Sequence, residues 1–201
     1  MRILAFSDLH NDTEQAGRLV EMAASVDLVI GAGDFCNAHR GLERMMAVLL
    51  AIEVPAVLVP GNAETDDELR QACADWPAAR VLHGGGTEVN GQQVYGIGGG
   101  IPVTPFGSWS FDFTEEQAAG MLADSPDGAI LVSHSPPNGT LDVSSRGSSI
   151  GSTAVRDTIA RTSPKLVVCG HIHNCGGQQE QIGSTLVANA GPAGMILTVD
   201  E

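Results

Sequence analysis

The sequence predicts an α/β fold in which two sheets lie face to face with helices outside. Three observations predict it. In the first half, short apolar runs alternate with segments of helical periodicity, the β-α-β-α-β-α order of parallel strands in a layered sheet. In the middle, two extended runs flank Asn90-Gly91, a strong type I′ hairpin signal. At the end the chain returns to consecutive strands. Of its 201 residues 43% are apolar, enough for a large core, so residues 1–201 are expected to form a single domain.

The first predicted strand is the apolar run from Arg2 to Phe6. Asp12 caps the next segment, with Gln15 three residues on, and Ala16, Leu19, Val20 and Ala23 recur at helical spacing. A second strand from Asp27 to Ile30 runs into Gly31-Ala32-Gly33-Asp34. Leu42, Met45, Met46 and Leu49 mark an amphipathic helix, and a third strand from Pro55 to Val59 precedes Gly61-Asn62. Thr65 and Glu68 form a capping box for a short helix ending near Ala74. Thr87 to Val89 and Gln93 to Tyr95 are the hairpin arms, and Gly98 to Trp109 is a long loop rich in Gly and Pro. Thr114 and Gln117 open another helix. A strand from Ala129 to Ser133 ends at His134, and Pro136 to Gly151 is a second long loop. Ser152 to Arg161 is helical; Lys165 to Cys169 is a strand ending at Gly170-His171-Ile172-His173. Strands over Gln178 to Ile182, Thr185 to Ala188 and Met195 to Asp200 complete the chain.

The net charge is −14 and Lys165 is the one lysine. Such a surface repels polyanions, and no basic run offsets it, so long nucleic acid is not an expected partner. The acidity serves divalent metal in part, or is simply a soluble acidic surface. No apolar run approaches the roughly 18 residues of a membrane span. The N-terminus lacks the basic start and cleavage site of a signal peptide, so a cytoplasmic location is expected. Cys36, Cys73, Cys169 and Cys175 are scattered without a CxxC pair and read as reduced thiols.

Five predicted strands end in residues of metal-ligand type: Asp8 with His10, Asp34, Asn62, His134, and His171 with His173. Sites of open α/β sheets form at the carboxyl ends of strands, so these residues are expected to converge on one edge. In an extended segment residues i and i+2 share a side, which would let Asp8 and His10 grip one ion together; His171 and His173 repeat the spacing. Seven ligands are too many for one ion but suit two, about 3.5–4 Å apart, with Asp34 the natural bridge. Mixed nitrogen and oxygen donors without thiolate favour Mn, Fe, Zn, Co or Ni over Mg or Ca.

The blocks Asp8-Leu9-His10, Gly33-Asp34-Phe35-Cys36-Asn37, Gly61-Asn62-Ala63-Glu64, Ser133-His134 and Gly170-His171-Ile172-His173 resemble, in content and order, the calcineurin-like metallophosphoesterases. The resemblance implies a four-layer α/β/β/α sandwich. It implies that Asp8, His10 and His173 hold one metal, that Asn62, His134 and His171 hold the other, and that Asp34 bridges. The stretches Gly98 to Gly107 and His134-Ser135-Pro136-Pro137 are similar to a bacterial and archaeal branch associated with small phosphodiesters. The expected activity is hydrolysis of a small phosphodiester, cyclic nucleotides among the candidates, by a hydroxide between two divalent ions. The competing readings are a phosphomonoesterase and a metal-binding scaffold that has lost catalysis.

One departure matters. Many members carry a histidine after the Gly-Asn pair, positioned to protonate the leaving group; here Ala63 stands there. A placed acid is worth about 10²–10⁴-fold. His39, five residues past Asp34, is the candidate replacement, and is otherwise a loop or helix-start histidine. Glu64 is expected to orient Asn62 or its loop. Asn11 and Asn37 contact ligands or substrate, or are turn formers. His83 is expected to be structural. Phe106 and Trp109 either stack on a nucleobase or anchor their loop, and Arg146 either meets a phosphate or faces solvent.

Overall fold

The computed structural model describes residues 1–200. Its order is β1 (Arg2–Phe6), α1 (Thr13–Ala23), β2 (Leu28–Gly31), α2 (Leu42–Leu49), β3 (Ala56–Leu58), α3 (Asp66–Ala72), β4 (Ala79–Val81), β5 (Gly85–Val89), β6 (Gln92–Ile97), α4 (Glu115–Leu122), β7 (Ile130–Ser133), α5 (Thr153–Thr162), β8 (Leu166–Cys169), β9 (Gln178–Ile182), β10 (Thr185–Asn189) and β11 (Met195–Thr198). One sheet runs β11-β1-β2-β3-β4 and the other β5-β6-β7-β8-β10-β9. Both are mixed. In the first, β1 to β4 are parallel and β11 is antiparallel to β1. In the second, β6, β7, β8 and β10 are parallel, with β5 and β9 antiparallel at the two edges.

Strand alternation builds the layers. Leu4, Phe6, Val29 and Leu58 turn one way and pack under α1, α2 and α3 with Leu19, Met45 and Leu69. Their neighbours Ile3, Ala5, Leu28, Ile30 and Val57 turn the other way and meet Val94, Ile130, Val132, Leu166 and Val168 of the second sheet. The far face of that sheet, with Tyr95, Leu131 and Val167, packs on Ala118, Leu122, Val155 and Ile159 of α4 and α5. Because β1, β2, β7 and β8 are covered on both faces, they read as unbroken apolar runs. The result is helices, sheet, sheet, helices, the four layers expected.

The caps behave as the spacing demands. Asp12 accepts from the Gln15 N–H at 2.9 Å, and Thr65/Glu68 and Thr114/Gln117 form reciprocal capping boxes. Asn90 and Gly91 sit at φ 50° and 78°, as a type I′ turn requires. One strand has no sequence signal: β4 is three residues with Arg80 in the middle, and parallel pairing with β3 alone defines it. No helix among the described residues is long and apolar enough to cross a membrane. All four cysteines are free and buried.

Candidate metal centre

Each candidate ligand follows the carboxyl end of a strand, β1, β2 and β3 from one sheet and β7 and β8 from the other, so the site spans both sheets at one end of the sandwich. The expectation that Asp8 and His10 align because the backbone is extended does not hold. Asp8 lies at φ 57° and His10 at φ 45°, the left-handed region, as do Asp34 at 56° and His171 at 65°. His173 opens a 3-10 turn. Such conformations cost a non-glycine residue roughly 1–2 kcal/mol, and tertiary contacts hold them here. The Asp8 and His10 N–H groups donate to the Gly33 and Asp34 carbonyls at 2.9 and 3.0 Å, zipping the first ligand loop onto the second. Gly61 permits the next contact. A Cβ there would collide with Asp34 Oδ1 and the Asp34 backbone, so only glycine lets the Asn62 loop close on Asp34.

Two donor clusters result. One is Asp8, His10 and His173; the other is Asp34, His134 and His171; within each, one atom per residue lies within 4.8 Å of the others. Asp34 joins them, with Oδ2 3.5 Å from His10 Nε2 and Oδ1 3.5 Å from His134 Nε2. His10 Nε2 and His173 Nε2 are 3.2 Å apart, and Asn62 Oδ1 lies 3.2 Å from His134 Nε2. Ligand atoms about 2.0–2.1 Å from one ion, at tetrahedral to octahedral angles, are separated by about 2.9–3.4 Å. The donors therefore stand close to where ions would need them.

The ring nitrogens facing the site carry lone pairs for a definable reason. Nδ1 of His134 donates to the Ala32 carbonyl at 2.7 Å and Nδ1 of His10 to the Cys36 carbonyl at 3.1 Å, which makes Nε2 the lone-pair nitrogen of each ring in its neutral form. Asn62 is oriented likewise. Its Nδ2 donates to Ser110 Oγ at 3.1 Å, and Ser110 Oγ donates to Asp112 Oδ1 at 2.7 Å, which leaves Oδ1 toward His134. Nothing in the sequence marks Ser110 and Asp112, because the contact links residues 48 positions apart. Asn189 also lacks a motif; its Nδ2 donates to the Gly170 and Ile172 carbonyls, both at 3.1 Å, and shapes the His171 loop.

Electrostatics favour a cation at Asp8 and His171, while the neighbouring carboxylates make His134 and His173 hold a proton more tightly. Burial works against the Asp8 carboxylate, but a His173 hydrogen bond and the charge of His134 hold its pKa down to about 2. Burial together with His134 brings His171 down to about 4, which keeps it neutral and a lone-pair donor. Burial also lowers His134, yet Asp34 and Asp8 outweigh it and raise the pKa. His173 is raised chiefly by its hydrogen bond to Asp8. Glu64 is fully buried; burial and the Asp34 charge push its pKa to about 7. Its carboxyl accepts from the Gly61 N–H at 2.7 Å and the Asp34 N–H at 2.8 Å, so it ties the Asn62 loop it is expected to orient to the Asp34 loop as well.

His39 is not brought to the cluster. Its Nδ1 pairs with Glu68 Oε2 at 2.8 Å and its Nε2 reaches the Trp109 carbonyl at 2.6 Å, so neither nitrogen faces the cleft. The Glu68 hydrogen bond raises the His39 pKa; burial disfavours the Glu68 charge, but its Thr65 and His39 bonds lower that pKa overall. The His39 contribution to stability is complete below its unfolded pKa near 6.5 and fades as pH rises through the higher folded value. The Glu68 contribution is complete above about 4.5 and fades as pH falls. Replacing His39 with Ala is thus expected to lower Tm by about 1–3 °C at pH 5–6 and by less at pH 9, in a thermal melt series; both side chains are partly exposed, which limits the effect.

The remaining candidates also have places. His83 accepts from the Gly98 N–H and packs on Phe111 and Phe113, and burial lowers its pKa. Asn11 donates to the Arg40 carbonyl and Asn37 to that of His10. Arg146 is exposed outside the cleft lining. The cleft above the cluster has a volume of about 530 Å³; Phe106, Trp109 and Ile150 form apolar parts of its wall, and Ala63 reaches it beside Asn62.

Comparison with known proteins agrees with this architecture. Similar solved structures include TT1561 of Thermus thermophilus, at TM-score 0.76 and 23% identity over 96% of this chain and 90% of that one. The phosphopantetheinyl hydrolase PptH of Mycobacterium tuberculosis matches at TM-score 0.64 and 18% identity over 94% and 88%. A dimetal phosphatase of Danio rerio matches at TM-score 0.61 and 13% identity over 94% and 86%. At these identities the likeness is one of fold. No curated protein matches the sequence. The family model of calcineurin-like phosphoesterases matches residues 1–175, and the chain belongs to that family.

Proposed function

We propose that this protein hydrolyses small phosphodiesters at a two-metal centre. Family membership makes it a phosphoester hydrolase of a dimetal class; the ester type and the individual residue roles are the proposal. Asp8, His10 and His173 would hold one divalent ion, Asn62, His134 and His171 the other, with Asp34 between them. Two such ions, when bound, lower the pKa of water toward neutrality and neutralise charge on phosphoryl oxygens. Asp34 offers one oxygen to each cluster and its charge offsets the repulsion between the cations. The Ala32 and Cys36 carbonyls hold His134 and His10 in the ligating tautomer. Ser110 and Asp112 fix the Asn62 amide.

The observation that carries the diester reading is the cleft wall. No Lys or Arg lines it among the described residues. A monoester near neutral pH brings a second negative charge that this wall leaves without a fixed counter-charge, whereas a diester brings one. Ala63 supplies no proton to a poor leaving group, which favours esters with good leaving groups in either class. The test is kcat/KM for bis(p-nitrophenyl) phosphate against p-nitrophenyl phosphate with Mn²⁺. A diester-to-monoester ratio above one is expected. A ratio below one makes the protein a phosphomonoesterase, and metal binding without turnover of either makes it a scaffold.

A further inference from the structure

We propose that Phe106 and Trp109 form a stacking platform that selects phosphodiesters carrying a nucleoside. The inference rests on the phosphodiester reading and names the ester group that reading leaves open. The two rings are nearly parallel, 15° apart with centroids at 5.8 Å, and both line the cleft that holds the candidate ligands His10, Asp34, Asn62, His171 and His173. Phe106 is 50% exposed and Trp109 41%, so large apolar area is left to water at the mouth of a polar site. Most other aromatic rings are packed away: Phe6, Phe35, Trp76 and Tyr95 are buried.

The platform is built into the site. Trp109 is held by its carbonyl to His39 Nε2, and the next residue, Ser110, accepts the Asn62 amide. Phe111 N–H donates to the Asn62 carbonyl at 3.0 Å. The rings therefore stand at a set position relative to a candidate ligand. The rest of the wall describes the occupant. It offers no cation for a carboxylate or a further phosphate, but Asn174, Ser144 and Ser145 provide amide and hydroxyl groups. A planar, uncharged group with hydrogen-bonding edges, joined to the reacting phosphate, meets both demands, and a nucleoside is that group. The cleft of about 530 Å³ falls in the size range of small-ligand sites.

Stacking on an aromatic side chain is worth about 5- to 160-fold per base. With a common p-nitrophenyl leaving group, thymidine 5′-(p-nitrophenyl phosphate) is expected to exceed methyl p-nitrophenyl phosphate in kcat/KM by about that factor, mainly through KM. Trp109→Leu, apolar but not planar, is expected to cut the preference at least about fivefold, and Trp109→Tyr to keep most of it. Binding is read separately. AMP with Mn²⁺ is expected to quench tryptophan fluorescence in the wild type and not in Trp109→Phe, where buried Trp76 alone reports. No quenching together with an unchanged preference in Trp109→Leu overturns the inference. A protein that turns over both diesters equally without quenching keeps the phosphodiester reading and loses this one. Quenching by AMP without diester turnover keeps the aromatic pair as a nucleoside-binding surface but overturns the phosphodiester reading and, with it, the selection of phosphodiesters.

Discussion

An Asp34→Asn variant is expected to lose at least about 10³-fold in kcat/KM for bis(p-nitrophenyl) phosphate and to retain no more than one equivalent of bound metal. Losing a group that merely orients a ligand costs about 10–100-fold, and Asp34 stands between both clusters. Its oxygens lie 3.5 Å from His10 Nε2 on one side and 3.5 Å from His134 Nε2 on the other. An amide presents one weak donor atom and no charge, so on the proposed assignment one ion would lose a ligand and the pair would lose the anion between them. The fold is expected to survive, because an amide oxygen can still accept from the Ala63 N–H that bonds Oδ1 at 2.9 Å. Metal content by elemental analysis, with a thermal melt as control, reads the result. Two equivalents with wild-type turnover would remove Asp34 from the bridging position.

The second large effect runs the other way. Ala63→His is expected to raise turnover of diesters with alkoxide leaving groups by about 10²-fold or more, while p-nitrophenyl esters gain little. Position 63 lines the cleft beside Asn62 and Asp34, and its backbone is already fixed on both sides: N–H to Asp34, carbonyl to the His39 N–H at 2.7 Å. Ala63 is itself 2% exposed, so an imidazole there would have to turn toward the cleft edge; from that edge its donor would be free, unlike His39, whose nitrogens are occupied by Glu68 and Trp109. The measurement is log kcat against leaving-group pKa. A slope that flattens in the variant supports leaving-group protonation; a uniform gain across leaving groups assigns the effect to binding instead.

Much of the fold was legible because its signals are local. The capping boxes at Thr65 and Thr114 and the Asn90-Gly91 turn each act over a few consecutive residues, and each formed as spaced. Strands buried on both faces announce themselves as apolar runs. β4 does not, because Arg80 interrupts three residues whose strand character comes from pairing with β3. The ligand types and their places after strand ends were also readable, since the chain must turn there. Their alignment does not use the extended i, i+2 geometry that the spacing predicts.

By itself the sequence determined the donor inventory, the strand ends that carry it and the alanine where a proton donor could stand. Tertiary structure alone decided the rest. It placed Asp8, His10, Asp34 and His171 in left-handed conformations that local preference disfavours and that hydrogen bonds between distant loops enforce. It turned the Asn62 amide through Ser110, drew His39 away to Glu68 and Trp109, and set two aromatic rings on the cleft wall. These outcomes depend on contacts such as His39 to Glu68, 29 positions apart, and the His171 N–H to Asp8, 163 apart. Contacts at such separations leave no periodic trace in the chain.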